Sequence, residues 1–177
     1  VYGGLKFFER AEIKDLLGYL RLVANKNDDG AFERVVNMPT RGIGETTLAT
    51  LREHAKEQNI SLWKTAQSLI QQQNLPTRAT TALAHFLSLI ENMMQTTENL
   101  PLHELTEYVL MKSGLMAHHQ QDRSEKSLAR VENLEELINA TSQFVPDSET
   151  ASLSPLAGFL SHVALETGEH QADQLTN

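Results

Sequence analysis

The sequence contains no cysteine in its 177 residues. Disulfides, thiolate zinc sites and cysteine nucleophiles are therefore excluded, which fits a reducing compartment. Long apolar runs are also missing: no run approaches the roughly 18 to 20 residues that cross a bilayer, and no basic-then-apolar signal segment opens the sequence. We expect a cytoplasmic protein whose fold is held together by packing alone.

Strand-like alternation of apolar and polar residues is missing too, apart from a possible short stub at Val1 and Tyr2. Helical spacing of apolar residues covers most of the chain, and the 40% apolar content allows one domain with a hydrophobic core. We predict an all-α fold, a multi-helix subdomain that contains a helix-hairpin-helix-like element. Because the chain begins with Val1 rather than Met and ends at Asn177 without a stop signal, we expect a fragment of a longer protein.

Boundary residues divide the helical pattern into several predicted helices. The first covers 8–24, and a short helix near 32–36 is ended by Pro39. Ser61 and Thr77 are predicted N-caps of later helices, and the acidic segment 144–154 is predicted to be a loop. The other signals are a helix start at Pro101 with a stop at Gly114, one helix bearing Leu128, Val131, Leu134 and Ile138, and a start at Pro155 with a stop at Gly168.

Charge is distributed unevenly along the chain. The net charge is −8, which argues against a generally basic nucleic-acid binder. Residues 1–58 contain nine Lys and Arg against nine Asp and Glu, whereas residues 59–177 contain six against fourteen. A polyanion should therefore approach the first third of the chain, if it approaches any part.

The most informative stretch is 37–48, NMPTRGIGETTL, which predicts a short helix, a Gly-x-Gly turn and a second helix. Glycine allows positive φ values and a close approach of the backbone to a ligand. The helix that follows begins with unpaired N–H groups and the positive end of its dipole, so a phosphate oxygen is a natural partner. Ile43 is predicted to point inward as the anchor. The candidate DNA-binding residues are Thr40, Arg41, Gly42, Ile43, Gly44 and Thr46.

A less specific explanation of the same glycines is that Gly42 ends one helix and Gly44 caps the next. Other candidate sites are weaker. His118 and His119 lack the rest of a metal-ligand set and are expected to be solvated, and Trp63 is expected in the core. No catalytic, cofactor-binding or metal-binding residue is predicted.

Six segments of the chain follow, in order, the pattern of the bacterial UvrD, Rep and PcrA DNA helicases of superfamily 1. The chain resembles the region just after motif IV of these enzymes over nearly its whole length, most of all the UvrD type. The segments are 2–15 (YGGLKFFERAEIKD), 19–22 (YLRL), 32–37 (FERVVN), 39–44 (PTRGIG), 132–137 (ENLEEL) and 159–162 (FLSH).

This resemblance implies a fragment centred on the 2B subdomain, a helical insertion in the second motor domain. Residues 1–24 would form the edge of that motor domain, 2A, and residues 25–177 the 2B subdomain. In this family the element matched by Gly42, Ile43 and Gly44 touches the duplex backbone, and the subdomain swivels between open and closed states. The implied partners are double-stranded DNA at a single-strand/duplex junction, the remaining helicase subdomains and repair proteins such as MutL.

The intact relatives are ATP-dependent 3′ to 5′ helicases of nucleotide excision and mismatch repair, with ATP and Mg²⁺ as cofactors. The present sequence has no Gly-x-x-x-x-Gly-Lys-Ser/Thr phosphate loop and no Asp-Glu pair for magnesium. We therefore expect the fragment alone to be non-catalytic and to hold no cofactor. The helix of residues 1–24, without its motor sheet, is expected to expose an apolar stripe.

Three functional hypotheses remain open at this point. In the first, the fragment grips duplex DNA through the Gly-x-Gly turn. In the second, it is an autoregulatory module whose acidic later helices meet repair proteins, and DNA contact is incidental. The third, an independent helix-hairpin-helix protein, is disfavoured by the truncated ends.

Overall fold

The computed structural model describes residues 5–176, with side chains described for residues 6–168. Within that range every regular element is a helix, which confirms the all-α prediction. The stub predicted at Val1 and Tyr2 lies outside the described residues. The helices are α1 (Leu5–Glu9), α2 (Ala11–Ala24), α3 (Asp29–Val35), α4 (Glu45–Gln58), α5 (Leu62–Gln71), α6 (Thr77–Thr96), α7 (Leu102–Lys112), α8 (Leu115–Gln120), α9 (Glu125–Gln143) and α10 (Pro155–Thr176).

Helix α2 is the centre of the hydrophobic core. It contacts α1, α3, α6, α7, α9 and α10, and the side chains of Ile13, Leu16, Leu17 and Leu20 are at most 1% exposed. Burial of each such side chain stabilises the fold by about 1.5–3 kcal/mol. The expectation of an exposed apolar stripe here is wrong, because neighbouring helices cover α2 on all its apolar sides. The domain boundary at residue 24 stays a prediction.

A glycine in α2 allows α3 to pack closely against it. A Cβ added at Gly18 would lie 2.8 Å from Cγ1 of Val35, a distance that real Cβ contacts do not reach. Because Val35 is the last residue of α3, this close packing brings the end of α3 and the loop that follows it against α2.

Several predicted boundaries are confirmed. The hydroxyl of Ser61 accepts the N–H of Lys64 at 3.2 Å, as expected of an N-cap, and α7 begins directly after Pro101. Gly114 has φ +86°, the left-handed conformation expected after a helix end. Segment 144–154 contains no helix.

Other boundaries differ from the predictions. The first helix is interrupted at Arg10, which has extended backbone angles between α1 and α2. Thr77 is the first residue of α6 rather than its cap, because Pro76 holds the cap position. Leu128 is 55% exposed, since Ser127 occupies the inward position of that turn and bonds Asp122. Helix α10 continues past Gly168, which lacks the positive φ that ends a helix.

Across the described residues, no helix combines the length and apolar character that crossing a bilayer requires.

Candidate nucleic-acid interface

The predicted DNA-binding residues lie in and just after the loop between α3 and α4. We call residues 36–44 the glycine hairpin. The two flanking helices both pack on α5, and α3 also packs on α2, whereas α3 and α4 are not among the closely packed helix pairs. The helix-hairpin-helix interpretation is therefore not confirmed as a paired-helix motif, although the order of helix, turn and helix is present.

The two glycines of the hairpin have different conformations. Gly42 has φ +80°, so a side chain at this position would be strained, as the sequence predicted. Gly44 has φ −90° and ψ 179°, extended angles that any residue adopts, so the prediction of a positive φ is wrong there. Gly44 instead occupies the N-cap position of α4, as the less specific explanation held. Between them Ile43 is 1% exposed and anchors the turn in the core, as predicted.

Asn37 holds the hairpin in shape, and sequence reasoning did not single it out. Its Oδ1 atom accepts the backbone N–H of Arg41 at 2.7 Å and the N–H of Ile43 at 3.2 Å. Asparagine commonly bonds the backbone a few residues ahead and so stabilises turns, which is the signal that could have identified it. Two of the hairpin amides therefore have an internal partner and do not face a ligand.

Arg41 is half-buried, and its guanidinium is bound to protein oxygens. Its Nη1 donates to the carbonyl oxygens of Val35 at 3.0 Å and of Val36 and Pro39 at 3.3 Å. Its Nη2 donates to the hydroxyl of Tyr19 at 2.5 Å and to the carbonyl of Ser113 at 3.1 Å. These contacts occupy the N–H groups of both Nη atoms, so neither Nη atom is free for the direct phosphate bond that the sequence suggested.

Tyr19 completes this network from α2. Its side chain is 0% exposed, and its hydroxyl lies 2.5 Å from the carbonyl oxygen of Met38, to which it donates. Burial raises the pKa of Tyr19 to about 12, against a smaller lowering by the Arg41 charge. The hydroxyl therefore keeps its proton at neutral pH and remains a donor to the hairpin.

The outward side of this region is the first turn of α4. Its first intrahelical bond runs from the N–H of Leu48 to the carbonyl of Gly44 at 3.2 Å, and no side chain caps the helix. Among the described residues no acceptor meets the N–H groups of Glu45, Thr46 and Thr47, which precede that bond. Three parallel donors at the positive end of a helix form a binding geometry for an oxyanion.

The surroundings of these donors are open. Gly44 and Thr46 are exposed, and a Cβ added at Gly44 would have no atom within 4 Å. Neither backbone strain nor internal packing requires glycine at position 44, so its missing side chain leaves free space in front of the helix end. Thr40 is also exposed, and its hydroxyl has no bond to a described residue.

A nearby carboxylate opposes an anion at this place, and an arginine compensates for it. Glu45, the first residue of α4, is bound through Oε1 to Nη1 of Arg52 at 2.5 Å. Arg52 also contacts Glu33 on α3, and these two carboxylates raise the pKa of its guanidinium. The exposed cluster carries one positive and two negative charges, so this cluster itself provides no attraction for an anion.

Two other residues that the sequence singled out, Trp63 and His119, are buried. Trp63 is 0% exposed, which confirms its predicted packing role. His118 is exposed, but His119 is only 6% exposed, so its predicted solvation is wrong. Burial is the main cause that lowers the pKa of His119. In the described part of the chain no cluster of three His, Asp or Glu could hold a metal ion.

Comparisons with known proteins identify a family and several relatives that this chain resembles. The family model described as "UvrD-like helicase C-terminal domain" matches residues 1–177. DNA helicase II of Escherichia coli is 51% identical over 173 residues, which cover 98% of this chain and 24% of that protein. DNA helicase II of Haemophilus influenzae is 48% identical over 172 residues, covering 97% of this chain and 24% of that protein.

A more distant relative gives the same assignment. The ATP-dependent DNA helicase PcrA of Bacillus subtilis is 36% identical over 174 residues, which cover 98% of this chain and 23% of that protein. The chain thus spans about a quarter of the length of these relatives. Since the family model matches the entire sequence, the chain belongs to the UvrD-like helicase C-terminal domain family.

Proposed function

We propose that this chain is the duplex-contacting, regulatory 2B subdomain of an ATP-dependent 3′ to 5′ DNA helicase. The observation that carries the proposal is the uncapped start of α4, where the N–H groups of Glu45, Thr46 and Thr47 meet no acceptor from residues 5–176 and Gly44 leaves the approach open. The relatives named DNA helicase II and ATP-dependent DNA helicase PcrA support the wider role. In that role the protein works in the cytoplasm, in nucleotide excision and mismatch repair.

The ligand at the start of α4 is a backbone phosphate of double-stranded DNA. The helix amides donate to its oxygens, and the hydroxyls of Thr40 and Thr46 add donors from either side of the turn. Gly42 and Ile43 give the turn its shape and do not contact DNA through side chains. Such contacts position a duplex without reading its bases, so binding is independent of sequence and weakens with salt.

Other parts of the proposed enzyme lie outside this sequence. ATP and Mg²⁺ are bound by the motor domains, because the present sequence has no phosphate loop. The partners are a single-strand/duplex junction, the remaining helicase subdomains and repair proteins such as MutL. Residues 1–24 belong in this proposal to the edge of motor domain 2A, and residues 25–177 to 2B.

Replacing Gly44 with valine tests the phosphate site. The extended backbone angles at this position suit a β-branched residue, and no internal atom obstructs its Cβ, so the variant should fold. The added side chain occupies the space in front of the helix amides. We expect duplex affinity, measured by fluorescence anisotropy with a short labelled duplex at low salt, to fall by about tenfold or more, the equivalent of one or two lost hydrogen bonds.

Gly30→Ala is the matched control. Gly30 lies on α3, and a Cβ there makes only an ordinary contact, 3.6 Å from Oδ1 of Asp28. This variant should bind like the unmodified chain. Amide NMR spectra provide a second measurement, in which added duplex should shift Thr46 and Thr47 in the unmodified chain. Full duplex affinity in a folded Gly44→Val variant would refute the phosphate site.

A second candidate function is a protein-interaction module, and one observation favours it. The large apolar side chains that are exposed among the described residues all lie in the later part of the chain, at Met111, Leu128, Val145, Leu153 and Leu165. Val145 is the most exposed of them, at 81%. In this alternative, Val145→Asp weakens the binding of purified MutL while Gly44→Val leaves it unchanged. If Gly44→Val weakened MutL binding and Val145→Asp left it unchanged, this role would be excluded for the 144–154 loop.

A further inference from the structure

Arg41 connects the glycine hairpin to three separate parts of the fold. Its guanidinium reaches the carbonyl of Val35 at the end of α3, the hydroxyl of Tyr19 on α2 and the carbonyl of Ser113 between α7 and α8. Ser113 is 72 positions away in the sequence, and its side chain is buried. Together with the buried Ile43 and the Tyr19 bond to Met38, this side chain fixes the position of the hairpin relative to the core.

Aromatic rings confine the guanidinium further. Its central carbon lies 5.2 Å from the ring centre of Phe86 on α6 and 5.7 Å from that of Tyr19. A planar, delocalised group fits between rings and meets several oxygens at fixed angles, whereas the ammonium of lysine does neither. The site is thus specific for the shape of arginine and not only for its charge.

The charge of Arg41 is not neutralised by a neighbouring acid. All five oxygens that accept its hydrogen bonds are carbonyl or hydroxyl oxygens. Across residues 6–168 the ion pairs involve Arg34, Arg52 and His162, and none involves Arg41. A net positive charge therefore lies beneath the hairpin, where water screens it less than it screens an exposed side chain.

The backbone of Arg41 takes part in the same arrangement. Its N–H and the N–H of Ile43 both donate to Oδ1 of Asn37, so these two amides are held on the inner side of the hairpin. The amides at the start of α4 remain as the outward donors. The bonds on the inner side of the hairpin therefore set the position of the outward N–H groups of α4.

We propose that Arg41 is a positioning residue for duplex binding. It fixes the hairpin and the start of α4 against the core and adds an uncompensated positive charge beneath them, and it does not contact phosphate itself. This inference rests on the proposed function, because it assigns a role within the same DNA-contacting site.

The test compares Arg41→Lys with Gly44→Val in the 177-residue chain, using a short DNA duplex as the probe. Arg41→Lys keeps the charge and loses the planar group, so a direct phosphate contact would survive in it. We expect it instead to weaken duplex binding by about tenfold, as for the loss of one or two hydrogen bonds. In the double variant the two losses should not multiply, because both act through the same amides.

Two further measurements separate positioning from a general loss of stability. Circular dichroism and urea unfolding establish that each variant is folded under the binding conditions. Side-chain NMR then follows the Arg41 Nε–H signal in the unmodified chain, which should stay in place on addition of duplex while the amides of Thr46 and Thr47 shift. If Arg41→Lys does not fold, Tyr19→Phe tests the same network, since it removes one acceptor of Arg41 and the donor to Met38.

The outcomes distinguish this inference from the proposed function. Full affinity in folded Gly44→Val refutes the DNA site itself. Loss of binding in Gly44→Val with full affinity in Arg41→Lys refutes the positioning role alone. A large DNA-induced shift of the Arg41 side-chain signal refutes it as well, since that result indicates a direct contact.

Discussion

The two sides of the glycine hairpin differ in how their donors are used. On the inner side Arg41 and Tyr19 bind the turn to α2, to α3 and to the junction between α7 and α8, and Asn37 accepts the N–H groups of Arg41 and Ile43. On the outer side the first amides of α4 have no partner among the described residues. The sequence predicted free amides at the start of the second helix, but it also predicted that Arg41 would donate to phosphate, and this arginine is instead bound within the protein.

This difference shows how a loop of nine residues, 36–44, can be rigid and still be available to a ligand. Loops normally expose their polar groups to water and move. Here partly buried bonds hold the backbone from behind, so the exposed donors keep a fixed arrangement without bonds of their own. A preorganised set of donors loses less entropy on binding than a flexible loop does.

The largest expected effect concerns the anchor on the inner side. Ile43→Ala removes most of a side chain that is 1% exposed, so the free energy of unfolding should fall by about 2–5 kcal/mol. Urea unfolding followed by circular dichroism measures this change. Thr46→Ala on the exposed outer side is the control and should change stability by less than about 0.5 kcal/mol. Similar losses for both variants would contradict the division between the two sides.

The second prediction concerns the proton on Tyr19. Burial raises its pKa in the folded chain to about 12, above the 10.0 that is ordinary for an unperturbed tyrosine. Between these values the unfolded chain loses the proton and the folded chain retains it, so this contribution to stability is complete below pH 10.0 and is lost as the pH rises toward 12. Its size is about 2–3 kcal/mol, from roughly two pKa units.

Ultraviolet absorbance of the phenolate and urea unfolding at each pH check this prediction. The unmodified chain should show one tyrosine that ionises near pH 12, and Tyr19→Phe should lack it. The variant should also lose stability less steeply in that pH range. If Tyr19 ionised at the ordinary pH of an exposed tyrosine, the network on the inner side would not be closed to water.

The sequence predicted the parts of this site that depend on neighbouring residues. Periodicity showed that helices lie on both sides of the turn, the positive φ of Gly42 follows from glycine in a tight bend, and the burial of Ile43 follows from an apolar residue between glycines. The helical class was predictable for the same reason, because each helix has its own local pattern.

The role of Arg41 could not be predicted in this way. Its partners Tyr19 and Ser113 lie 22 and 72 positions away, and only the packing of α2 and α7 brings them to the hairpin. The break at Arg10 and the separate helix α8 were also missed, since both depend on how short segments fit against α9 and α10. The open space at Gly44 likewise became visible only from the atoms around it.

The smallest expected effect is on the outer side, where Gly44→Ala should change the free energy of unfolding by less than about 0.5 kcal/mol. Alanine is a poorer N-cap residue than glycine, which destabilises α4, but it also restricts the unfolded chain, which stabilises the fold by a similar amount. No internal atom lies within 4 Å of the new Cβ, so packing adds nothing. Urea unfolding measures the result. A loss above about 2 kcal/mol would mean that the fold itself requires glycine at this position, and its open space could then no longer be attributed to a ligand.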